Sequence, residues 1–494
     1  MPRTTARRPP ASHTRPAPSL APASPAATSP ASASPASASP ASASPVALIA
    51  SLLGFAVITI DVSAVNIALP AIRSSLHGGM SGLQWVVDAY TLMFAALMMS
   101  AGALADRSGA RRAYAWGTAL FTLASLGCAL APGIGVLIAA RLAQGAAAAV
   151  VMPASLTLIR QAYDDPARRA RAIALWTVGG SVSMAAGPVL GGILAEHVGW
   201  RAVFLLNLPV GAVILALLAR TAPSARRPAP LDPAGQATAV LALAGLTYAV
   251  IEGGHRGWTS VPVLAALAVA AGSAAAFLAV EKRHRAPMVP LGMLRERRVA
   301  VSLTAGFAAN AAFYGVVFLL GLYYQQARGM TATEAGLMFV PLSVVITAAN
   351  LVSPRLAERI GRRAVIVLGQ AVLALAMAAL LPLSADTPLW LVLLLLVPTG
   401  LGGALAVPAL TALLMDAVPG HRAGTASGLF NAVRQTGGAL AVAVSGALIA
   451  DGGAEGAGEA ISLAGMRESL YAAGGLLCLT TALTVWLLRR ERKA

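Results

Sequence analysis

The stretch LIAARLAQGAAAAVVMP, residues 137–153, decides how the chain is read. It is apolar apart from Arg141 and Gln144, and the apolar run extends over 134–158. As a helix, that run is long enough to cross ~30 Å of hydrocarbon. A guanidinium in such a helix is costly unless it faces protein or a water-filled passage. Arg141 sits about eight residues in, roughly 12 Å down at 1.5 Å per residue. From there a long side chain does not easily reach the interface, so facing a central cavity is the favoured reading.

The rest of the chain agrees. Its 494 residues are 57% hydrophobic and only 11% charged, with a mean hydropathy of +0.74. A soluble domain carries ~25% charged residues. After residue 45 nearly everything falls into apolar runs of ~18–25 residues, the length of a membrane-crossing helix. Only helices and closed barrels satisfy their backbones in lipid. The runs are too long for barrel strands and lack period-two alternation. The fold class is therefore an all-α polytopic membrane protein.

The net charge of +17 raises the possibility of a nucleic-acid partner. The charges lie in short loops between spans, so no nucleic acid is expected, and the lipid bilayer is the partner. Cys128 and Cys478 both lie in apolar runs and form neither a disulfide framework nor a metal site. None of the six His residues stands at ligand spacing from a Cys or carboxylate, so no metal is expected. Residues 1–44 form an Ala/Ser/Pro tract in which ASASP recurs three times from Ala31 to Pro45. Such a tract buries no core and reads as a disordered cytoplasmic leader. It lacks the apolar stretch of a signal peptide.

Fourteen spans are read, from 46–70 to 468–488, including 113–131, 202–220 and 335–352. With the N-terminus inside, 29 of the 36 Lys and Arg residues fall in inside segments and five in outside loops. The other two, Arg141 and Arg434, lie within spans. Inside loops of bacterial and other membrane proteins carry that excess, so both termini are expected in the cytoplasm. LADRSGARR (104–112) follows the second span and LAERIGRR (356–363) the tenth. Acid, Arg and Gly recur at the same spacing, eight helices apart. The pattern predicts an N-terminal six-helix bundle over 45–221 and two inserted helices with basic linkers over 222–298. A C-terminal six-helix bundle over 299–488 and a basic tail over 489–494 complete a 6+2+6 plan. Transporters built from such repeats place their substrate site at the repeat interface.

GALADRSGARR, 102–112, resembles the loop motif of the major facilitator superfamily. Gly102 is expected to allow close helix approach and Gly109 a tight turn. Asp106 is expected to latch one conformation by pairing with Arg side chains, with Arg107, Arg111 and Arg112 supplying charge. Glu358 and Arg359 repeat the pattern, without the first Gly. IDVSAVNIALP (60–70), LQWVVDAYTL (83–92), WRAVFLLNLPVG (200–211) and AGTASGLFNAVRQTGG (423–438) resemble the fourteen-helix drug:proton antiporter branch of that superfamily, over residues 46–488. GPVLGG (187–192) resembles its antiporter motif, where Pro188 removes a backbone donor and Gly187, Gly191 and Gly192 make a smooth packing face. Ser183 replaces a Gly of the family pattern. Arg141, Gln144 and Gly145 match the R-x-x-q-G motif.

Asp61 lies mid-span, where a carboxylate is expensive unless turned inward. Burial favours its neutral form and a nearby cation its ionised form. Asp61 is the first candidate proton carrier, Asp88 the second, and Arg141 the cation that holds the carboxylate ionised. Trp85 and Tyr90 near Asp88 are compatible with an interfacial belt. Asn66, Phe94, Gln144, Asn310, Tyr314, Arg434 and Gln435 are candidate cavity residues, the aromatics offering faces to a cationic drug.

No G-x-x-x-x-G-K-[ST] loop is present, and neither Lys282 nor Lys493 follows a Gly. The chain is not expected to be an enzyme, and no cofactor is expected beyond protons as coupling ion. The function expected is proton-coupled efflux of small lipophilic or cationic compounds across the plasma membrane, with a monomer as the simplest assembly. An exporter dedicated to one metabolite, such as an amino acid or a self-made antibiotic, is the main alternative. A non-transporting receptor or scaffold is the other.

Overall fold

Gly109 and Gly361 mark the two loop motifs in the backbone. Both have positive φ, 88° and 86°, and each ends one helix and starts the next. The structure, a computed structural model, describes residues 43–224, 226, 232–284, 287–289, 291–419, 422–451 and 463–489. The expected leader and basic tail lie almost wholly outside the described residues, as do parts of the linkers at 225–231 and 285–290.

In chain order the helices are α1 (Ala43–Leu76), α2 (Met80–Ser108), α3 (Ala110–Ala129), α4 (Ile134–Ala162) and α5 (Pro166–His197). Then come α6 (Arg201–Leu205), α7 (Asn207–Ala219), α8 (Pro233–Arg256), α9 (Val261–Arg283) and α10 (Arg297–Leu322). The chain continues with α11 (Ala332–Leu337), α12 (Val340–Ile360), α13 (Arg362–Leu380), α14 (Leu389–Asp416), α15 (Ala423–Asp451) and α16 (Leu463–Arg489). No strand occurs among the described residues. Several starts carry local signals. Asp165 caps α5 by accepting from Arg168 N at 2.8 Å, with Pro166 at the first helical position. Thr331 and Glu334 form a capping box on α11.

Among the described residues, 13 helical segments are long and apolar enough to cross a membrane. Three are composite: α6 with α7 over Arg201–Ala219, α10 with a π-helical turn (Tyr323–Ala327) over Arg297–Ala327, and α11 with α12 over Ala332–Ile360. The expected span 113–131 corresponds to α3, which is 20 residues long but outside those 13. Its first turn holds Arg111 and Arg112, and Gly, Ser and Thr dilute the rest.

Packing repeats across the chain. In the first half α1 packs on α5, α2 on α4, α3 on α4, and α7 on α1 and α3. In the second half α10 packs on α15, α12 on α14, α13 on α14, and α16 on α10 and α13. Element for element, the same pairs recur. The inserted α8 and α9 pack on each other, and α8 also lies against α2 and α15. Glu252 on α8 accepts from Ser81 at 2.8 Å and pairs with Arg256 at 2.5 Å, tying the end of α8 to the start of α2.

Candidate functional site

Arg141 reaches the interior because α4 approaches α2 closely. A Cβ on Gly145, one turn along, would lie 2.9 Å from the Tyr90 carbonyl carbon. That proximity lets Arg141 Nε donate to Val86 O at 3.0 Å and lays the guanidinium over the Tyr90 ring, 4.3 Å from its centre. Its Nη1 donates to Asp61 Oδ2 at 2.5 Å and to Gln144 Oε1 at 2.8 Å. The other Asp61 oxygen accepts from Gln144 Nε2 at 3.0 Å and from Asn207 Nδ2 at 2.8 Å. Ser125 Oγ accepts from the same two amides, at 2.7 and 3.0 Å. Asp61 and Arg141 are each 1% exposed. The carboxylate therefore sits among charge-assisted donors from α4 and α7.

Ser125, Asn207 and Tyr90 complete this cluster; the sequence does not single out Ser125 or Asn207 and points to an interfacial place for Tyr90. Asn207 has a signal in the NLPVG segment, whereas Ser125 and Tyr90 are revealed only by packing. Tyr90 is fully buried beneath Arg141, so it is not an interfacial residue. Asp88, two residues before Tyr90 on α2, is also fully buried, and neither carboxylate oxygen has a hydrogen-bond partner among the described residues.

Between the two halves lies a cavity of about 1680 Å³. On α1 its wall consists of Phe55, Ile58, Thr59, Val62, Ser63 and Asn66, the three-and-four spacing of one helix face. Asp61 points about 100° away from Val62 around the helix. It does not line the cavity, and neither do Arg141, Gln144 and Asp88. This corrects the expected placement of Gln144: its amide is used within the ion cluster behind the wall. Arg141, expected to face the cavity, is likewise corrected: it lies behind the wall, its guanidinium taken up by Asp61, Gln144 and Val86 O. Asn66, Phe94, Asn310, Tyr314, Arg434 and Gln435 do line the cavity. Asn310 Nδ2 donates to Arg434 O at 2.8 Å and to Gln435 Oε1 at 3.2 Å.

The cavity reaches the Arg-rich end of the bundle, where Gly102, Asp106, Arg160 and Arg169 line it. The opposite end is sealed by α5 against α11. A Cβ on Gly192 would lie 2.8 Å from Ala332 C and Thr333 Cα, and one on Gly336 would lie 2.8 Å from Pro188 C. Thr333 N donates to Glu196 Oε2 at 2.9 Å, and Gln325 Nε2 donates across to Ile67 O at 3.0 Å. Gly187 and Gly191 serve the other side of α5, where their Cβ atoms would press on Ser63 and Ala64 of α1. The GPVLGG motif is thus a two-sided packing surface between α1 and α11.

The loop motif is arranged otherwise than expected at two positions. A Cβ on Gly102 would meet nothing within 4 Å, because the helix ends around it are splayed at the cavity mouth. The Asp106 carboxylate is exposed and makes no ion pair or hydrogen bond among the described residues. The latch is not engaged in this conformation, which is open at that end. Glu358 and Arg359 are exposed in the second copy, as are Arg107 and Arg112 in the first. Arg111 is engaged: its Nε donates to Leu218 O at 2.9 Å and its Nη2 to Ala219 O at 3.1 Å, at the end of α7. Gly109 makes the expected tight turn, with Arg111 N donating to Ser224 Oγ at 3.0 Å.

Two pseudo-equivalent helical bundles, a central cavity open at one end and a buried ion pair beside it define a membrane transporter. The chain belongs to the Major Facilitator Superfamily, whose family model matches residues 51–442. A "Methylenomycin A resistance protein" of Streptomyces coelicolor is 37% identical over 444 residues, 89% of this chain and 92% of that protein. "Multidrug resistance protein Stp" of Mycobacterium tuberculosis is 40% identical over 405 residues, 82% of this chain and 75% of that one. The resemblance to the drug:proton antiporter branch is borne out by these relatives. A crystal structure of a peptide transporter, POT, in complex with sulfate superimposes with a TM-score of 0.66 at 15% identity, over 92% of this chain and 99% of that one. That match concerns the fold.

Proposed function

We propose that the protein exports small lipophilic compounds from the cytoplasm across the plasma membrane in exchange for protons. Fourteen crossings, α3 included, and a 6+2+6 division with both ends cytoplasmic complete the reading. The observation that carries it is the cavity between the halves, accessible at the Arg-rich end and sealed at the other by α5 and α11. By charge bias the Arg-rich end is cytoplasmic, so this is the state that loads substrate from inside.

Asp61 is placed to couple a proton to the seal. Its carboxylate holds donors from α4 and α7. Two and three residues further along α1, Ser63 and Ala64 pack on Gly187 and Gly191 of α5. On the far side of α5, Gly192 and Pro188 meet α11. A proton on Asp61 removes the charge that Arg141 and the two amides hold, and so loosens the grip of α4 and α7 on α1. Any shift of α1 is transmitted through α5 to the outer seam. Asp88 is the second candidate carrier. The drive suffices: each charge entering gains ~2.3 kcal/mol per 100 mV, and each pH unit adds ~1.4 kcal/mol.

The decisive experiment is efflux from proteoliposomes under an imposed pH gradient, across a compound library. Gradient-driven movement of at least one compound is expected. No acid-driven movement of any compound would overturn the reading. Protection of cells against several unrelated drugs would mark a multidrug pump, and protection against one would mark the dedicated exporter.

A further inference from the structure

Arg434 faces the cavity from within α15 and has no counter-charge. Its Nη2 donates to Asn310 Oδ1 at 3.1 Å, its guanidinium carbon lies 5.5 Å from the centre of the Phe430 ring, and its buried Nε has no partner. No carboxylate lies within ion-pair distance among the described residues. Arg141, the other Arg within a span, differs in having Asp61 and further oxygen acceptors.

The acids lining the cavity are Asp106 and Asp232. Asp106 belongs to the Arg-rich mouth. Asp232 caps α8, accepting from Gly235 N at 2.7 Å, and meets His284 at 3.7 Å. Neither pairs with Arg434. Asp61, the carboxylate a cationic ligand would seek, is committed behind the wall. Among the described residues, the deep cavity therefore presents one guanidinium and no acid.

A cation on the cavity wall with one neutral acceptor and a buried, unpartnered Nε is under-compensated. An incoming anion relieves it, and the planar fork of Arg matches carboxylate and sulfonate groups. Asn310 already spends its amide donors on Arg434 O and Gln435, so its Oδ1 steadies the guanidinium instead of competing for an anion. Around it Phe94, Phe313 and Tyr314 offer apolar surface. We infer that the cavity takes organic anions: an apolar body bearing a carboxylate or sulfonate, with that group seated on Arg434. As a statement about the exported substrate, this rests on the export reading above.

The test uses three probes of one shape and fixed charge: naphthalene-2-sulfonate, neutral naphthalene-2-sulfonamide and N,N,N-trimethyl-2-naphthylammonium. Equilibrium binding to the purified full chain should favour the sulfonate over the ammonium by at least tenfold. Arg434→Gln should weaken sulfonate binding at least tenfold more than sulfonamide binding, and Arg434→Lys should recover part of the loss. Equal or tighter binding of the ammonium, equal losses for both probes in Arg434→Gln, or no binding of any probe would overturn the inference. Proteoliposome transport is scored separately. Absence of gradient-driven movement of every compound defeats the export reading, whereas binding selectivity alone decides the anion site.

Discussion

Asp61 Oδ2 and Arg141 Nη1 meet at 2.5 Å inside the N-terminal bundle, one residue around α1 from the cavity wall at Val62. The pair is buried behind the wall of the central cavity. Removing one partner strands the other. Asp61→Asn should leave a buried guanidinium uncompensated, at a cost of about 3–5 kcal/mol, and should abolish gradient-driven export. Asp61→Asn combined with Arg141→Gln should regain much of the lost thermal stability in detergent while still failing to transport. Unaltered proton-driven efflux by the single variant in vesicles would remove Asp61 from the coupling scheme.

Arg111 and Arg363 do the same work in the two halves. Arg111 binds the terminal carbonyls of α7, and Arg363 donates to Leu488 O at 3.2 Å and Val485 O at 3.3 Å near the end of α16. Cations are favoured at helix C-termini, and a hydrogen bond from a charged group contributes about 1.5–3 kcal/mol. Arg111→Ala and Arg363→Ala should each lower stability by roughly that amount or less, given partial exposure. Lys should rescue poorly, because an ammonium does not reproduce the guanidinium fork. Arg112→Ala, at an exposed position, serves as the control in thermal unfolding. Equal effects at all three sites would refute the staple.

Much of this was legible in the sequence, and the misses have physical causes. Apolar run length and loop charge gave the spans, and the two loop motifs gave the repeat that Gly109 and Gly361 confirm in their backbone angles. Asp61 and Arg141 announced themselves as charges with nowhere to go but inward. Which way inward was not legible. A one-residue change rotates a helix position by about 100°, so the sequence does not separate the cavity from the Asp61 side, which is where Arg141 and Gln144 both face. Ser125 is a common residue in an ordinary helix, and only the approach of α3 to α4 and α7 gives it a role. Gly102 was read as a packing glycine, but packing there depends on which end of the transporter is closed.

The standing of α3 as a crossing helix is open to direct measurement. If α3 spans, the loop after it lies outside and the loop before it inside. Alkaline phosphatase fused after Gly133 should be active, and the same reporter fused after Arg112 inactive. Activity at both positions, or at neither, would show that α3 does not cross and that the count is 13.

Gly192 offers the sharpest test of the gating scheme. It touches Ala332 and Thr333 of α11 so closely that a Cβ would fall inside contact distance of backbone atoms, which cannot swing aside as a side chain can. Gly192→Val should therefore pry α5 from α11 and favour the state open to the outside. Gly102, where a Cβ meets open space at the other end, should tolerate Ala in the conformation described here. The two ends can be read by a membrane-impermeant maleimide on a cysteine at Asn66, deep in the cavity, with Cys128 and Cys478 replaced. In the parent, labelling should proceed from the cytoplasmic face. In Gly192→Val it should shift to the outer face, and vesicles should lose tightly coupled efflux. Unchanged sidedness in a folded Gly192→Val protein would mean that the α5–α11 contact does not hold the outer end shut.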